Sequence, residues 1–290
     1  MQKDKNLRPI YLSERQFVNQ LIWENYYNTT YYSNDKYMVY VTEYKDQKVP
    51  MMPFCKLEDI KTVFQELKEH WNNKLGIPLS MILIDKPFIE VLKIIPNFEE
   101  EFEIIDDRDS YDYIYDAQKL KTLKGKRYHK KKNHLNRFLK RYEGRYEYRS
   151  LDCNNMPEIA SFHQRWLDNR GYQDIKDTIE SEDTGIRKVF QNCFQLNCKF
   201  GGVYVDGILE AFSIGTYDPS IECAFIHTEK ANTKVSGLYN FNNQQFLINE
   251  FPEAKIVNRE DDLGQSGLRK AKTSYRPIKL EEKFHIKQKI

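Results

Sequence analysis

The stretch KFGGVYVDGILEAFSIGTYDPSIECAFIHTE, residues 199–229, constrains the fold of this chain more than any other. It holds three runs rich in β-branched and aromatic residues, separated by the turn signals Asp206-Gly207 and Asp218-Pro219. Adjacent strands joined by tight turns pair as an antiparallel meander. Beyond residue 229 the pattern alternates: a helical-period run LYNFNNQQFLINEF, a short strand AKIVNRE, a helix GLRKAKTSY and a last strand PIKLEEKF. A meander followed by alternating helix and strand predicts a mixed sheet with helices packed over it, an α+β architecture.

The first half repeats that order. Ser13 and Gln16 have capping-box spacing, and Leu12 and Phe17 sit at hydrophobic-staple positions, which predicts a first helix. Strands over 36–44 and 48–55 come next. A long helix is then marked by Leu57, Ile60, Phe64, Leu67, Trp71 and Leu75, with Gly76 as its stop. LSMILID is a buried strand, FIEVLKII a short helix, and FEIID and YDYIYD are two more strands. At 290 residues the chain is long for one domain. The helix–strand–strand–helix–strand order in both halves predicts two similar units, 1–143 and 144–290.

Charge is balanced overall, with 45 Lys+Arg against 43 Asp+Glu, but it is segregated locally. An acidic stretch, 97–112, precedes a basic one, and Tyr128, Leu135, Phe138, Leu139 and Tyr142 give the latter a packed face. A basic amphipathic helix over 117–142 is expected. Its Lys126, Arg127, Lys130, Lys131 and Arg137 suit a polyanion such as RNA, or else pair with the acidic stretch. No segment is long and apolar enough to span a bilayer, and no signal core opens the chain. The five cysteines form no metal-ligand spacing, and Cys193 and Cys198 are expected as reduced thiols. The chain therefore reads as cytoplasmic, with no integral membrane segment and no metal. GxSxG, P-loop, dinucleotide and HExxH motifs are all absent.

The segment VNREDDLGQSGLRKAKTSYRP carries the chemistry. A strand ends on Asn258, Arg259 and Glu260, Asp261 and Asp262 enter a glycine turn, and a helix begins at Ser266-Gly267 with free N–H donors. Arg269 and Lys272 share a helical face and suit a clamp for an oxyanion; Asp261 and Asp262 suit an ammonium group. Asn258, Arg259, Gly267, Lys270 and Tyr275 fall around them as substrate-binding candidates. His227 ends a strand and is, with Glu260, a candidate base. The same residues also suit a surface turn with incidental ion pairs.

This segment, together with YDYIYDAQKLKTLKGKRYHKKKNHLNRFLKRY, resembles the bacterial proteins grouped with the C-terminal domain of phosphatidylglycerol lysyltransferase, relatives of the Fem-type peptidoglycan aminoacyltransferases. The resemblance implies two tandem acetyltransferase-like (GNAT-like) units. It also implies transfer of an aminoacyl group from a charged tRNA to an amine or hydroxyl on a small molecule, peptide or lipid headgroup, with no cofactor. On the same fold, acetyl-CoA or another acyl-CoA is the alternative donor. The pyrophosphate-binding motif of such enzymes is only partly matched by Lys234-Val235-Ser236-Gly237-Leu238-Tyr239, where Tyr239 replaces a small residue. A non-catalytic module that binds RNA or an anionic headgroup through 119–149 is the reading from another class.

Overall fold

The computed structural model describes residues 8–44, 47–169 and 176–289. It is a mixed α+β fold. The meander strands Lys199–Val205, Ile208–Asp218 and Cys223–Ala231 pair antiparallel, with Tyr146–Leu151 on the outer edge. Beyond Cys223–Ala231 lie Ile256–Asn258, Asp112–Asp116 and Lys279–Glu281, which complete a seven-stranded sheet. The first half forms a four-stranded sheet around Tyr37–Tyr44 and a three-stranded sheet, joined by a bridge between Met51 and Ile82.

The hydrogen bonding crosses residue 144 in both directions. Asp112–Asp116, from the first half, sits inside the second sheet between Ile256–Asn258 and Lys279–Glu281. Lys283–Gln288, from the end of the second half, sits between Ser80–Asp85 and Phe102–Asp106 of the first. Helix Phe17–Tyr27 also packs on the second half, its Val18 and Ile22 joining Ile159, Phe162, Ile186 and Phe212 in one core. That packing is close enough that a Cβ on Gly185 would meet the Ile22 carbonyl oxygen at 1.9 Å, so only glycine fits there.

Two expected elements differ in detail. Ser13 does not cap the first helix; Ser13–Arg15 is a 3-10 turn, and its amide and hydroxyl donate to the buried carboxylate of Asp112 at 2.7 and 3.2 Å. Donating to a buried carboxylate gives charge-assisted bonds, stronger than the neutral bond that the Ser13 hydroxyl would accept as a cap. The basic helix over 117–142 is two helices, Ala117–Thr122 and His129–Arg141, broken where Leu123 and Gly125 take positive φ. The cysteine expectation is also corrected. Cys193 is disulfide-bonded to Cys153, because the helices Met156–Asp168 and Lys176–Gln191 lie side by side and bring their flanking turns together. Cys55, Cys198 and Cys223 are free, and burial pushes the thiols of Cys55 and Cys198 up to about 12.

The crossing is fixed by charge. Lys283 is completely buried, and its ammonium donates to Glu14 at 2.7 Å and to Asp112 at 2.8 Å. Removing one member of such a group leaves an uncompensated charge in the interior. Lys283→Met should therefore lower unfolding stability by about 3–5 kcal/mol in urea titrations. A loss under about 1 kcal/mol would show that the crossing does not depend on this contact.

Candidate functional site

Strands Cys223–Ala231 and Ile256–Asn258 run parallel, but they pair only from Cys223↔Ile256 to Phe225↔Asn258. Past that point they part. The gap between Ile226–Lys230 on one side and Arg259–Asp261 on the other is the floor of a cleft of about 920 Å³. Helix Met156–Asp168 contributes Phe162, Arg165 and Trp166 to one wall, while Gly267, Leu268, Ala271 and Lys272 of helix Ser266–Thr273 form another.

Asn258 makes the chain leave the sheet there. It is completely buried; its Nδ2 donates to the Tyr11 carbonyl at 2.6 Å and to Asp112 at 2.8 Å, while its Oδ1 accepts from the Glu260 amide at 2.6 Å. Glu260 then adopts φ 57°, a left-handed conformation that costs a non-glycine residue energy. Asn258 thus positions the segment and does not face the cleft.

Glu260 and His227 do face it, and they face each other. Glu260 Oε1 lies 2.7 Å from His227 Nδ1 and accepts from Asn19 Nδ2 at 2.9 Å. The other ring nitrogen lies 2.8 Å from the Thr216 hydroxyl, which donates to Gln16 at 2.9 Å. Both nitrogens of His227 are thus occupied by protein groups, and the pair serves to hold the turn.

The two aspartates part company. Asp262 is fully buried and turned away from the cleft; Arg269 grips it through Nε at 2.9 Å and Nη2 at 2.8 Å, and Tyr113 donates to it at 2.5 Å. Burial alone would raise its pKa, but the hydrogen bonds from Arg269 and Tyr113 hold it below the usual carboxylate value. Arg269 also reaches Asp109 at 2.6 Å and does not line the cleft. The clamp expected of Arg269 with Lys272 is therefore not formed, since a bidentate carboxylate holds the guanidinium elsewhere.

Asp261 is half-buried and lines the cleft, its Oδ1 accepting only from the Leu263 amide at 3.0 Å among the described residues. Burial pushes its carboxyl up to about 6. Asp261 also borders a second hollow of about 320 Å³ walled by Trp23, Tyr26, Tyr27 and Tyr44. Lys272 lines the cleft, with its ammonium donating to the backbone carbonyls of Arg259 and, closely, Asp261. Burial lowers its pKa. Two of its three N–H donors are thereby used.

Of the substrate-binding candidates, Arg259, Gly267 and Tyr275 line the cleft, whereas Lys270 is exposed outside it. Of the basic residues, Lys126, Arg127, Lys130 and Arg137 are exposed, and among the described residues none pairs with a carboxylate. The acidic stretch is committed elsewhere, Glu101 to Lys68, Asp107 to His285 and Asp109 to Arg269. Lys131 departs from that exposed row. It enters the cleft with its Nζ 3.9 Å from the centre of the Tyr275 ring. Sequence reasoning missed Lys230, which bonds Glu182 at 2.6 Å and lies over Trp166, and missed Trp23 and Phe162 altogether. Only the proximity of Lys230 to His227 would have hinted at it.

A sheet whose parallel central strands splay over a charged cleft, with a second mixed sheet unit in the same chain, is a tandem GNAT-like fold. The chain belongs to the family described as phosphatidylglycerol lysyltransferase, C-terminal, whose model matches residues 5–287. A protein of unknown function from Bacteroides thetaiotaomicron is 29% identical, with TM-score 0.85 over 99% of this chain and 93% of that one. The C-terminal domain of a putative lysylphosphatidylglycerol synthetase from Agrobacterium fabrum has TM-score 0.66 at 12% identity, over 95% and 88% of the two chains. FemX has TM-score 0.59 at 8% identity, over 93% and 91%. An uncharacterised protein of Mycoplasmoides gallisepticum is 26% identical over 183 residues, 61% of this chain and 56% of that relative, so the match spans little more than half the relative's length. Among the described residues no helix is long and apolar enough to cross a membrane.

Because Asp261 holds its proton up to about 6, against 3.8 for a free side chain, the unfolded chain releases that proton first as pH rises. Folded stability should therefore fall between those two values and stay lowered above them. Asp261→Asn should raise unfolding stability at about pH 7.5 by about 2–3 kcal/mol, a gain that disappears below about pH 4. Urea unfolding at both pH values checks this; a variant less stable than the parent at the higher pH would contradict it.

Proposed function

We propose that this protein is an acyltransferase that passes an aminoacyl group from an aminoacyl-tRNA, or a similarly activated donor, to an amine or hydroxyl acceptor. The observation that carries the reading is the carboxylate of Asp261, which lines the cleft beside the buried ammonium of Lys272 and has no ion pair at bonding distance among the described residues. Membership of the lysyltransferase C-terminal family and the likeness of the fold to FemX support it. An aminoacyl ester is already activated, so much of the catalysis falls to alignment, which supplies roughly 7–11 kcal/mol in favourable cases.

In this reading Asp261 takes the proton from the attacking amine or hydroxyl as the new bond forms to the ester carbonyl. With its pKa near 6 it is ionised at neutral pH yet basic enough to accept a proton. The remaining N–H of Lys272 faces the developing oxyanion. The departing tRNA hydroxyl leaves with the proton. Asp261 borders both hollows, so two reactants entering from opposite sides would meet at its carboxylate. The exposed Lys126, Arg127, Lys130 and Arg137 supply a track for the tRNA backbone. The acceptor is a small molecule, a peptide or a lipid headgroup.

The acyl-CoA alternative is disfavoured by the turn at Lys234–Tyr239. Its amides at Lys234, Val235 and Leu238 are already bonded to Asn232 and Val235 oxygens. A Cβ on Gly237 would meet the His134 carbonyl oxygen at 2.3 Å, so the basic helix covers this turn where a pyrophosphate would lie.

Single-turnover assays with a charged tRNA pool and a panel of amine, peptide and lipid acceptors test the proposal. Asp261→Asn should slow transfer by about 10²–10⁴-fold while staying folded. Arg269→Ala, which strips a buried carboxylate of its partner, should lower stability but leave transfer per folded molecule intact. Wild-type rates in Asp261→Asn, or a melting shift with acetyl-CoA and none with charged tRNA, would defeat the reading.

A further inference from the structure

We propose that the end of the cleft framed by Lys131, Arg259 and Tyr275 is a phosphate-binding subsite, which takes the phosphoryl group of one of the transferase's substrates. The subsite stands on its own geometry; only the identity of the molecule carrying the phosphate rests on the transferase reading.

Two cations lie against one aromatic ring there. Lys131 Nζ is 3.9 Å from the centre of the Tyr275 ring, and the Arg259 guanidinium is 4.8 Å from it. A single carboxylate, Glu229, serves Arg259 through Nη2, and its other oxygen accepts from Asn243 at 2.8 Å. Lys131 has no carboxylate partner among the described residues. Arg259 Nε and Nη1 are buried with no acceptor among the described residues, leaving three N–H donors unmatched. The Tyr275 hydroxyl accepts from Asn240 at 2.8 Å and keeps its own proton to donate.

Like charges at short range in a poorly solvated pocket repel, and Lys131 records it: burial, then the Arg259 charge, brings its pKa down to about 8. The helix bearing Lys131 also begins with no acidic residue and no side-chain cap. Its first residues are His129, Lys130, Lys131 and Lys132, although the helix dipole there favours negative charge. Everything at this corner except Glu229 asks for an anion. A phosphate matches two cations and several donors in different directions better than a planar monoanion does. Two sources share this chemistry, the terminal nucleotide of a tRNA donor and a phosphorylated acceptor headgroup.

Titration of the full chain with inorganic phosphate, against acetate and chloride at matched ionic strength, tests the subsite by thermal shift. Phosphate should raise the melting temperature with saturation. Lys131→Met should weaken its apparent affinity about 10-fold or more, Lys131→Arg should restore it, and Lys61→Met, exposed and outside the cleft, should leave it unchanged. Arg259→Lys gives a second variant that keeps the charge and loses donors, and it should also bind phosphate more weakly. Phosphate binding is read with no donor or acceptor present, which separates this test from that of transfer. Tighter binding of AMP than of glycerol 3-phosphate assigns the subsite to the donor, and the reverse order to the acceptor. The subsite is refuted if phosphate stabilises no more than acetate, or if Lys131→Met titrates like the parent.

Discussion

Lys283 carries a full charge in the interior, a position that costs several kcal/mol unless opposite charges meet it at bonding distance. It meets two, both from the first half of the chain: Glu14 from the turn before the first helix, and Asp112 from a strand that has joined the seven-stranded sheet. Asp112 in turn holds the Ser13 amide and the Asn258 side chain. Burial pushes Glu14 up to about 7 against the pull of the Lys283 charge, so the group works as a set. A hydrophobic contact at this crossing would tolerate slippage by a residue or two. A lysine that must find two carboxylates does not, and the exchange of strands between the halves is thereby held in one register.

The cleft depends on that lock through a short chain of contacts. Asp112 fixes Asn258, Asn258 fixes the Glu260 amide, and Glu260 is thereby forced into a left-handed turn. His227 and Asn19 then hold the Glu260 carboxylate. The next residue, Asp261, emerges between the splayed strands, and the one after it, Asp262, turns back beneath them toward Arg269. Consecutive aspartates thus have opposite fates because the backbone reverses between a satisfied partner and an open cleft.

The sequence carried the element order well, because it lies in local signals. The meander turns at Asp206-Gly207 and Asp218-Pro219, the periodicity around Phe64 and Leu67 and the Gly76 stop all read as they fold. The segment bearing the site was legible for the same reason, as its charges sit next to one another in the chain. What stayed hidden was long-range. No local pattern says that Asp112 lies in the second sheet, that Cys153 meets Cys193, or that Ser13 prefers a carboxylate 99 residues away to its own helix. Arg269 misled because helical spacing puts it beside Lys272, while tertiary geometry offers it a buried carboxylate. Lys131 misled in the opposite sense: it looks like one lysine in a solvated row, and only packing against Tyr275 sets it apart.

That contrast gives a physical rule for sorting the charges of this protein. Arg269 with Asp262 and Lys283 with Asp112 and Glu14 are matched in sign and hydrogen bonding, and such groups hold architecture. Asp261, Lys131 and Lys272 are buried or half-buried without a carboxylate–ammonium contact among the described residues, and their pKa values move in the direction that burial of a charge dictates. A neutral residue of the same shape at Asp261 would give a more stable protein at neutral pH. All three of these line one cleft. The unmatched set contains one anion and two cations. On the proposed reading the attacking group meets Asp261, the ester oxygen meets Lys272 and a phosphate meets Lys131, so the substrates would supply the partners that the fold leaves out.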